Sequence, residues 1–305
     1  MKRDVKRFTI PAALSGQRID LVLALMDQTL TFDLVLNLFA FGGIHLNGRR
    51  CGDVARIVNR DDRVEIFIDG LPFEPFVIDE SLIVYRDDDI LVVNKPAGID
   101  CQPTPSRFMG TVYSALLSYL ENPYRRDLKP SIGMMQRLDR DTSGLMVFSI
   151  HPRAHKNLSA QFAARRIEKS YVALVAGQML QQEGEFRSLL AKNRGTNRMK
   201  SVEKWGEEAI TRYRVVHRSD SATRVDIDLL TGRRHQIRVH FSEAGHPLLG
   251  DLRYDGASVC NGYPVARQML HARRLTFIHP VNKSQMTFTL PLPDDMEQIA
   301  QQMFL

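Results

Sequence analysis

From Ser81 onward, the apolar residues of this chain come in short runs bounded by turn-forming residues. No other feature constrains the fold as much. L-I-V-Y at 82–85 and I-L-V-V-N at 90–94 flank an acidic Asp87-Asp88-Asp89 turn, and L-M-V-F-S-I at 145–150 and Y-V-A-L-V at 171–175 are runs of the same kind. Such runs are too short for helices and suit strands buried in a sheet. Lys95-Pro96 ends the second run, because proline has no amide for a ladder. Arg224–Leu230 alternates, with one face wet and one buried. Helices are expected at Thr111–Leu120, with Thr111 as cap, and at Lys156–Arg165. Another follows the Thr231-Gly232 turn, with Ile237, Phe241 and Ala244 on one stripe, and stops at Gly245 and Pro247. The pattern is that of an α+β fold rich in strands.

Gly16–Gly70 reads as a small unit of its own. Ile19–Met26 and Phe32–Phe39 have helical periodicity, and Gly42-Gly43 supplies a natural helix end. Strands follow around the Asn47-Gly48 turn and at Arg63–Ile68. L-P-F-E-P-F at 71–76 reads as a linker, which divides the chain into 1–76 and 77–305. No internal repeat and no low-complexity tract is present.

The net charge is +6, and its excess is local: between Arg153 and Lys204 stand eleven basic residues against four acidic ones. Concentrated positive charge suits a phosphate backbone, since each neutralised phosphate releases counterions. K-N-R-G-T-N-R-M-K at 192–200 reads as a basic loop able to follow such a backbone. The three cysteines, Cys51, Cys101 and Cys260, have no C-x-x-C spacing. That argues against a disulfide framework and a zinc site, and for a reducing, cytoplasmic setting. The charged N-terminal stretch leads into no apolar core of signal-peptide type, and the apolar run at 34–41 is about half of the roughly 20 residues a membrane span needs.

Q-R-L-D-R-D-T-S-G-L at 136–145 places Asp139 between two arginines and before a Thr-Ser-Gly turn. By itself this is an ordinary surface loop. With I-E-K-S-Y-V-A-L-V at 167–175, L-L-T-G-R-R-H-Q-I-R-V-H at 229–240 and G-H-P-L-L-G-D-L-R-Y at 245–254, it closely resembles the RluA-type family of RNA pseudouridine synthases. N-K-P-A-G at 94–98 and L-H-A-R-R-L-T-F-I-H-P at 270–280 extend the resemblance, in order, from about Leu82 to Pro291. Four motifs in the right order are specific where any one alone is weak.

The resemblance implies a catalytic domain built on a mixed, mostly antiparallel sheet. It implies a reaction in which the N-glycosidic bond of a uridine within RNA breaks, the uracil rotates, and the base rejoins through carbon. No metal and no cofactor is implied. By position, Asp139 is the essential aspartate, acting as nucleophile or base. In a partly dry pocket a carboxylate needs a cation to stay ionised; Arg238 matches that partner. Arg137 matches the residue that displaces the target base or fills its vacancy, since a stacked base must be flipped out. Tyr171 matches the aromatic that stacks on the flipped uracil. Lys169 and Arg233 are candidate phosphate contacts, and Leu270 a candidate wall of the uracil pocket. His235 and His240 are expected to be satisfied structural histidines.

The family usually has histidine where this chain has Gln102 and Gln136. The two are expected to face one another near the Asp139 loop and to keep a hydrogen bond. The N-terminal unit resembles an S4-type RNA-binding domain. S4 modules place basic residues on the second helix, and F-D-L-V-L-N-L-F-A-F has none, so this unit is expected to bind RNA weakly and to pack on the catalytic domain or a protein partner. The expected protein is a monomer that acts on RNA, with large-subunit ribosomal RNA favoured over transfer RNA, and that binds neither DNA nor membrane. The alternatives are a non-catalytic RNA-binding protein on the same scaffold and a hydrolase using Asp139.

Overall fold

The computed structural model describes residues 4–125 and 128–304. The chain forms two compact units, Met1–Ile78 with Ile99–Pro130, and Asp79–Gly98 with Ser131–Leu305.

In the first unit, four antiparallel strands pair in the order Asp4–Thr9, Arg63–Ile68, Ile44–Leu46, Arg49–Arg50. The helices Ile19–Met26 and Phe32–Phe41 share a core with them, built from Ile19, Val22, Leu23, Val35, Leu38, Ile44, Val64 and Ile66. Thr31 caps the second helix by accepting from the Leu34 amide, and Gly42 ends it at a φ of 84°, a conformation glycine adopts without cost. The helix Val112–Leu120 starts at a Thr111–Ser114 capping box. Arg107 ties its segment down with a bidentate pair to Asp69, at 2.7 and 3.0 Å.

Among the described residues of the second unit, eleven strands form one sheet. Its main path runs Met199–Val202, Glu183–Lys192, Glu207–Arg218, Ala222–Leu229, Glu168–Ala176, Leu270–Ile278, Ser143–Ser149, Ile90–Lys95, Ile83–Arg86. All the pairs are antiparallel except Leu270–Ile278 with Ser143–Ser149. Ser143–Ser149 is buried along its whole length, which explains its unbroken apolar run. The parallel contact is close: a Cβ on Gly144 would lie 2.3 Å from the Ala272 carbonyl oxygen, and the glycine φ is 116°. Only glycine fits there.

Several expectations shift in detail. The helix expected at 156–165 runs Pro152–Ala163, because His151 accepts from the Arg153 amide and proline occupies the first turn. The basic loop expected at 192–200 is shorter: Lys192 ends one strand, Met199 begins the next, and only 193–198 turn between them. On the helix Gln236–Glu243, Ile237 and Phe241 are buried, whereas Ala244 is an exposed cap.

Candidate active site

Asp139 sits on the link between the short strand Gly133–Met134 and the central strand Ser143–Ser149. Its carbonyl accepts from the Thr142 amide at 3.1 Å, closing the turn that Thr-Ser-Gly suggested. The next carbonyl, Arg140, accepts from the Gly98 amide and the Lys95 ammonium, both at 2.9 Å. Lys95 is almost wholly buried; N-K-P-A-G thus clamps the aspartate loop from behind. Thr142 accepts from Gln268 Nε2 at 2.8 Å, and Ser143 meets His271 Nδ1 at 2.9 Å.

Facing this loop, the helix Gln236–Glu243 presents Arg238. Its Nη1 donates to Asp139 Oδ2 at 2.7 Å, while Nε and Nη2 form a fork on Asp251, at 2.6 and 2.7 Å. Asp251 is 1% exposed at its side chain and Asp139 26%. The inner carboxylate therefore orients the guanidinium, and the outer one keeps a face toward solvent. Burial opposes the Arg238 charge, but the hydrogen bond to Asp251 and the charges of both aspartates outweigh it and raise its pKa. The Tyr254 ring packs 5.0 Å from the Arg238 guanidinium on one contact and 4.9 Å from that of Arg198 on another. Gln236 braces the entry to the helix: its Oε1 accepts from Thr231 Oγ1 and the Arg233 amide, and its Nε2 donates to the Ile210 carbonyl.

A cleft of about 630 Å³ opens over Asp139 and is lined by Arg137, Lys169, Tyr171, Arg233, Arg238 and Leu270, among others, a volume suited to a small organic group. Tyr171 and Leu270 are buried in its wall. Arg137 is exposed at the edge. Lys169 Nζ lies 3.4 Å from where a Gly232 Cβ would stand. Burial, helped by Arg165, pulls the Lys169 pKa down. Arg233 is less available: it donates to the Glu208 carbonyl and pairs with Glu207, each at 3.0 Å. Gln136 also lines the cleft, donating to the Leu145 carbonyl at 3.5 Å; Gln102 belongs to the other unit.

Sequence reasoning overlooked three members. Asp251 and Tyr254 lie in the quoted G-D-L-R-Y stretch, where a carboxylate three residues before a tyrosine was the available signal. His235 was expected to be structural, and so His240 is, held between Thr211 and Ser188. His235, in contrast, lines the cleft with Nε2 3.7 Å from Asp139 Oδ1. Burial drives its pKa down to about 4, Asp139 opposes this, and Arg238, Arg234 and Arg253 add to it.

Asp87, Asp89 and His279 bring potential metal-ligating atoms within 4.8 Å of one another. Their hydrogen-bonding capacity is turned inward. Asp87 accepts from Tyr85, His279 and two backbone amides, Asp89 forks onto Arg153, and His279 Nδ1 accepts from the Val281 and Asn282 amides. None of the three lines the cleft.

Residues 89–243 match the family described as RNA pseudouridylate synthase. The chain is 33% identical over 306 residues to "Ribosomal large subunit pseudouridine synthase D" of Buchnera aphidicola, covering 94% of this chain and 95% of that one. It is 36% identical to the protein of that name from Blochmanniella floridana, over 71% of each chain. The solved "Human RNA Pseudouridylate Synthase Domain Containing 4" shares the fold, with a TM-score of 0.61 at 21% identity over 73% of this chain and 94% of that one. Since the matched span contains Asp139, Tyr171 and Arg238, and since the relatives run nearly the whole length, the chain belongs to the RNA pseudouridylate synthase family, isomerases that act on RNA.

Proposed function

We propose that this cleft isomerises uridines of large-subunit ribosomal RNA, with Asp139 as the reacting carboxylate. The carrying observation is the fixed Asp139–Arg238–Asp251 array at the floor of an open cleft. A carboxylate oxygen held by a guanidinium that is itself braced by a second, buried carboxylate keeps its direction without substrate. The choice of ribosomal RNA rests on the names of the relatives.

In this reading the target nucleoside leaves its stack and enters the cleft. Tyr171 offers the ring on which uracil rests, and stacking tolerates the rotated base because either orientation presents a π face. Leu270 forms apolar wall. Arg137 is exposed at the edge, with no hydrogen bond or ion pair among the described residues, so it is available to the strand the base has left. Lys169 likewise makes no ion pair among the described residues and suits a phosphate or a uracil carbonyl. Asp139 acts at the sugar while the glycosidic bond breaks. The small N-terminal unit fits an S4-like appendage, but its helices expose Leu21, Leu25 and Phe32 rather than cations, which favours a minor part in RNA binding.

Asp139→Asn tests the reading, because the amide keeps the size and one acceptor for Arg238 Nη1. Pseudouridine formation in ribosomal RNA should vanish while RNA affinity stays within a few fold. An asparagine variant that still forms pseudouridine would refute the role of Asp139. A wild-type protein that modifies transfer RNA and leaves ribosomal RNA untouched would refute the substrate.

A further inference from the structure

Tyr254 and His235 together fix where one proton must lie beside Asp139. The Tyr254 hydroxyl accepts from the Met199 amide at 3.0 Å and meets His235 Nδ1 at 2.7 Å. Tyr254 is buried, so its own phenolic proton needs an acceptor, and among the described residues none is found but His235 Nδ1. A proton on Nδ1 would leave the phenol donor unsatisfied. Nδ1 is therefore the bare nitrogen, and a neutral His235 carries its hydrogen on Nε2. That Nε2 is the atom 3.7 Å from Asp139 Oδ1, the oxygen Arg238 does not hold.

His235 sits in the left-handed region, φ 55° and ψ 21°, at the cap of the helix that carries Arg238. The charged groups around the ring are Asp139 on the loop, Arg234 beside it, Arg238 on the helix and Arg253 next to Tyr254. Three cations against one anion disfavour a fourth positive charge.

We propose that His235 is a positioning residue for Asp139: as a neutral imidazole, its Nε2–H takes Oδ1 while Arg238 holds Oδ2. At 3.7 Å the contact is open, and closure by about 0.5–1 Å as RNA fills the cleft would complete it, since such bonds span about 2.7–3.2 Å; catalytic hydrogen bonds are commonly long before substrate binds. A neutral donor has one advantage over an imidazolium. It fixes the second oxygen without offering the carboxylate a proton that would quench it. The Met199 amide and Tyr254 set the tautomer, which couples the 193–198 turn to the reacting group.

The inference rests on Asp139 being the reacting carboxylate, and the tests separate the two. Nitrogen-15 NMR of histidine-labelled full-length protein at pH 7, with His235 assigned by its disappearance in His235→Gln, should show a bare Nδ1 and a protonated Nε2. Tyr254→Phe should shift the proton toward Nδ1. In single-turnover pseudouridine formation, His235→Ala should slow the chemical step about 10- to 100-fold, the effect of one hydrogen bond to a charged group, with RNA affinity unchanged. His235→Gln, whose amide can occupy the Nε2 position, should recover most of that loss. The wild-type rate should not follow a histidine titration between pH 5.5 and 8. An Nδ1–H tautomer, an imidazolium at pH 7, or a fully active His235→Ala would overturn the proposal even with Asp139→Asn inactive. An active Asp139→Asn would instead remove the premise while leaving the tautomer as found.

Discussion

Replacing Arg238 by lysine keeps the positive charge and removes the fork. The guanidinium serves two carboxylates at once, two bonds to Asp251 and one to Asp139. An ammonium on a flexible stem can approach only one of them well. Asp251 is 1% exposed and Asp139 26%, so leaving Asp251 without a cation costs more, and the lysine should settle there. One of the two inner bonds is still lost, at about 1.5–3 kcal/mol for a charge-assisted bond. Against a typical stability of about 5–15 kcal/mol, this should lower the melting temperature by roughly 3–10 °C. Asp139 meanwhile loses its anchor. The missing bond alone accounts for about 10- to 100-fold in rate, and a misplacement of about 1 Å can cost a further 100-fold, so a net loss of about 10³–10⁴-fold is expected. The assay is single-turnover release of tritium from RNA carrying 5-tritiated uridine, because carbon 5 gives up its hydrogen when the new carbon–carbon bond forms. RNA affinity should hold. A lysine variant that melts with the wild type and turns over within threefold of it would refute the reasoning.

Two further outcomes follow from charge. His235, His240 and His271 are each pushed down to about 4 by burial, from an unfolded value of 6.5. Between those values the unfolded chain binds protons that the folded chain does not, so their effect is absent above about pH 6.5 and erodes stability below it. The slope is about 1.4 kcal/mol per pH unit for each histidine. The urea midpoint should therefore fall between pH 6.5 and 5, before most carboxylates titrate, and a flat midpoint across that window would contradict it. Lys192, Arg194 and Lys200 are exposed around the 193–198 turn, whereas Arg198 is tied to Asp255 and Tyr254. Changing the three free cations to glutamate should weaken RNA binding and flatten the log affinity against log salt slope by about 2, at about 0.7–0.9 per phosphate lost; an unchanged slope would mean the turn does not touch RNA.

Much was legible in the sequence because it is encoded locally. Apolar runs at 90–94, 145–150 and 171–175 became strands, the Thr111 cap formed, and the stop at Gly245 held. Ser143–Ser149 is buried throughout, so its hydrophobic run states its place without reference to any partner. Charged strands were harder. Glu183–Lys192 and Glu207–Arg218 carry many ion-paired residues on an exposed face, and their polarity hid the ladder that holds them.

The chemistry divides in the same way. Residue identity and order fixed the family, named Asp139, Tyr171 and Arg238, and set the sign of the local charge. Tertiary structure alone decided which partner each polar atom takes. Arg238 is 99 residues from Asp139 and 13 from Asp251, and nothing in their spacing says that one guanidinium joins both. His235 is likewise indistinguishable in sequence from the satisfied His240 five positions on. Its neighbours come from the loop of Asp139 and from Tyr254, and hydrogen bonds, being short and directional, exist only once the sheet has brought those segments within 3 Å or so.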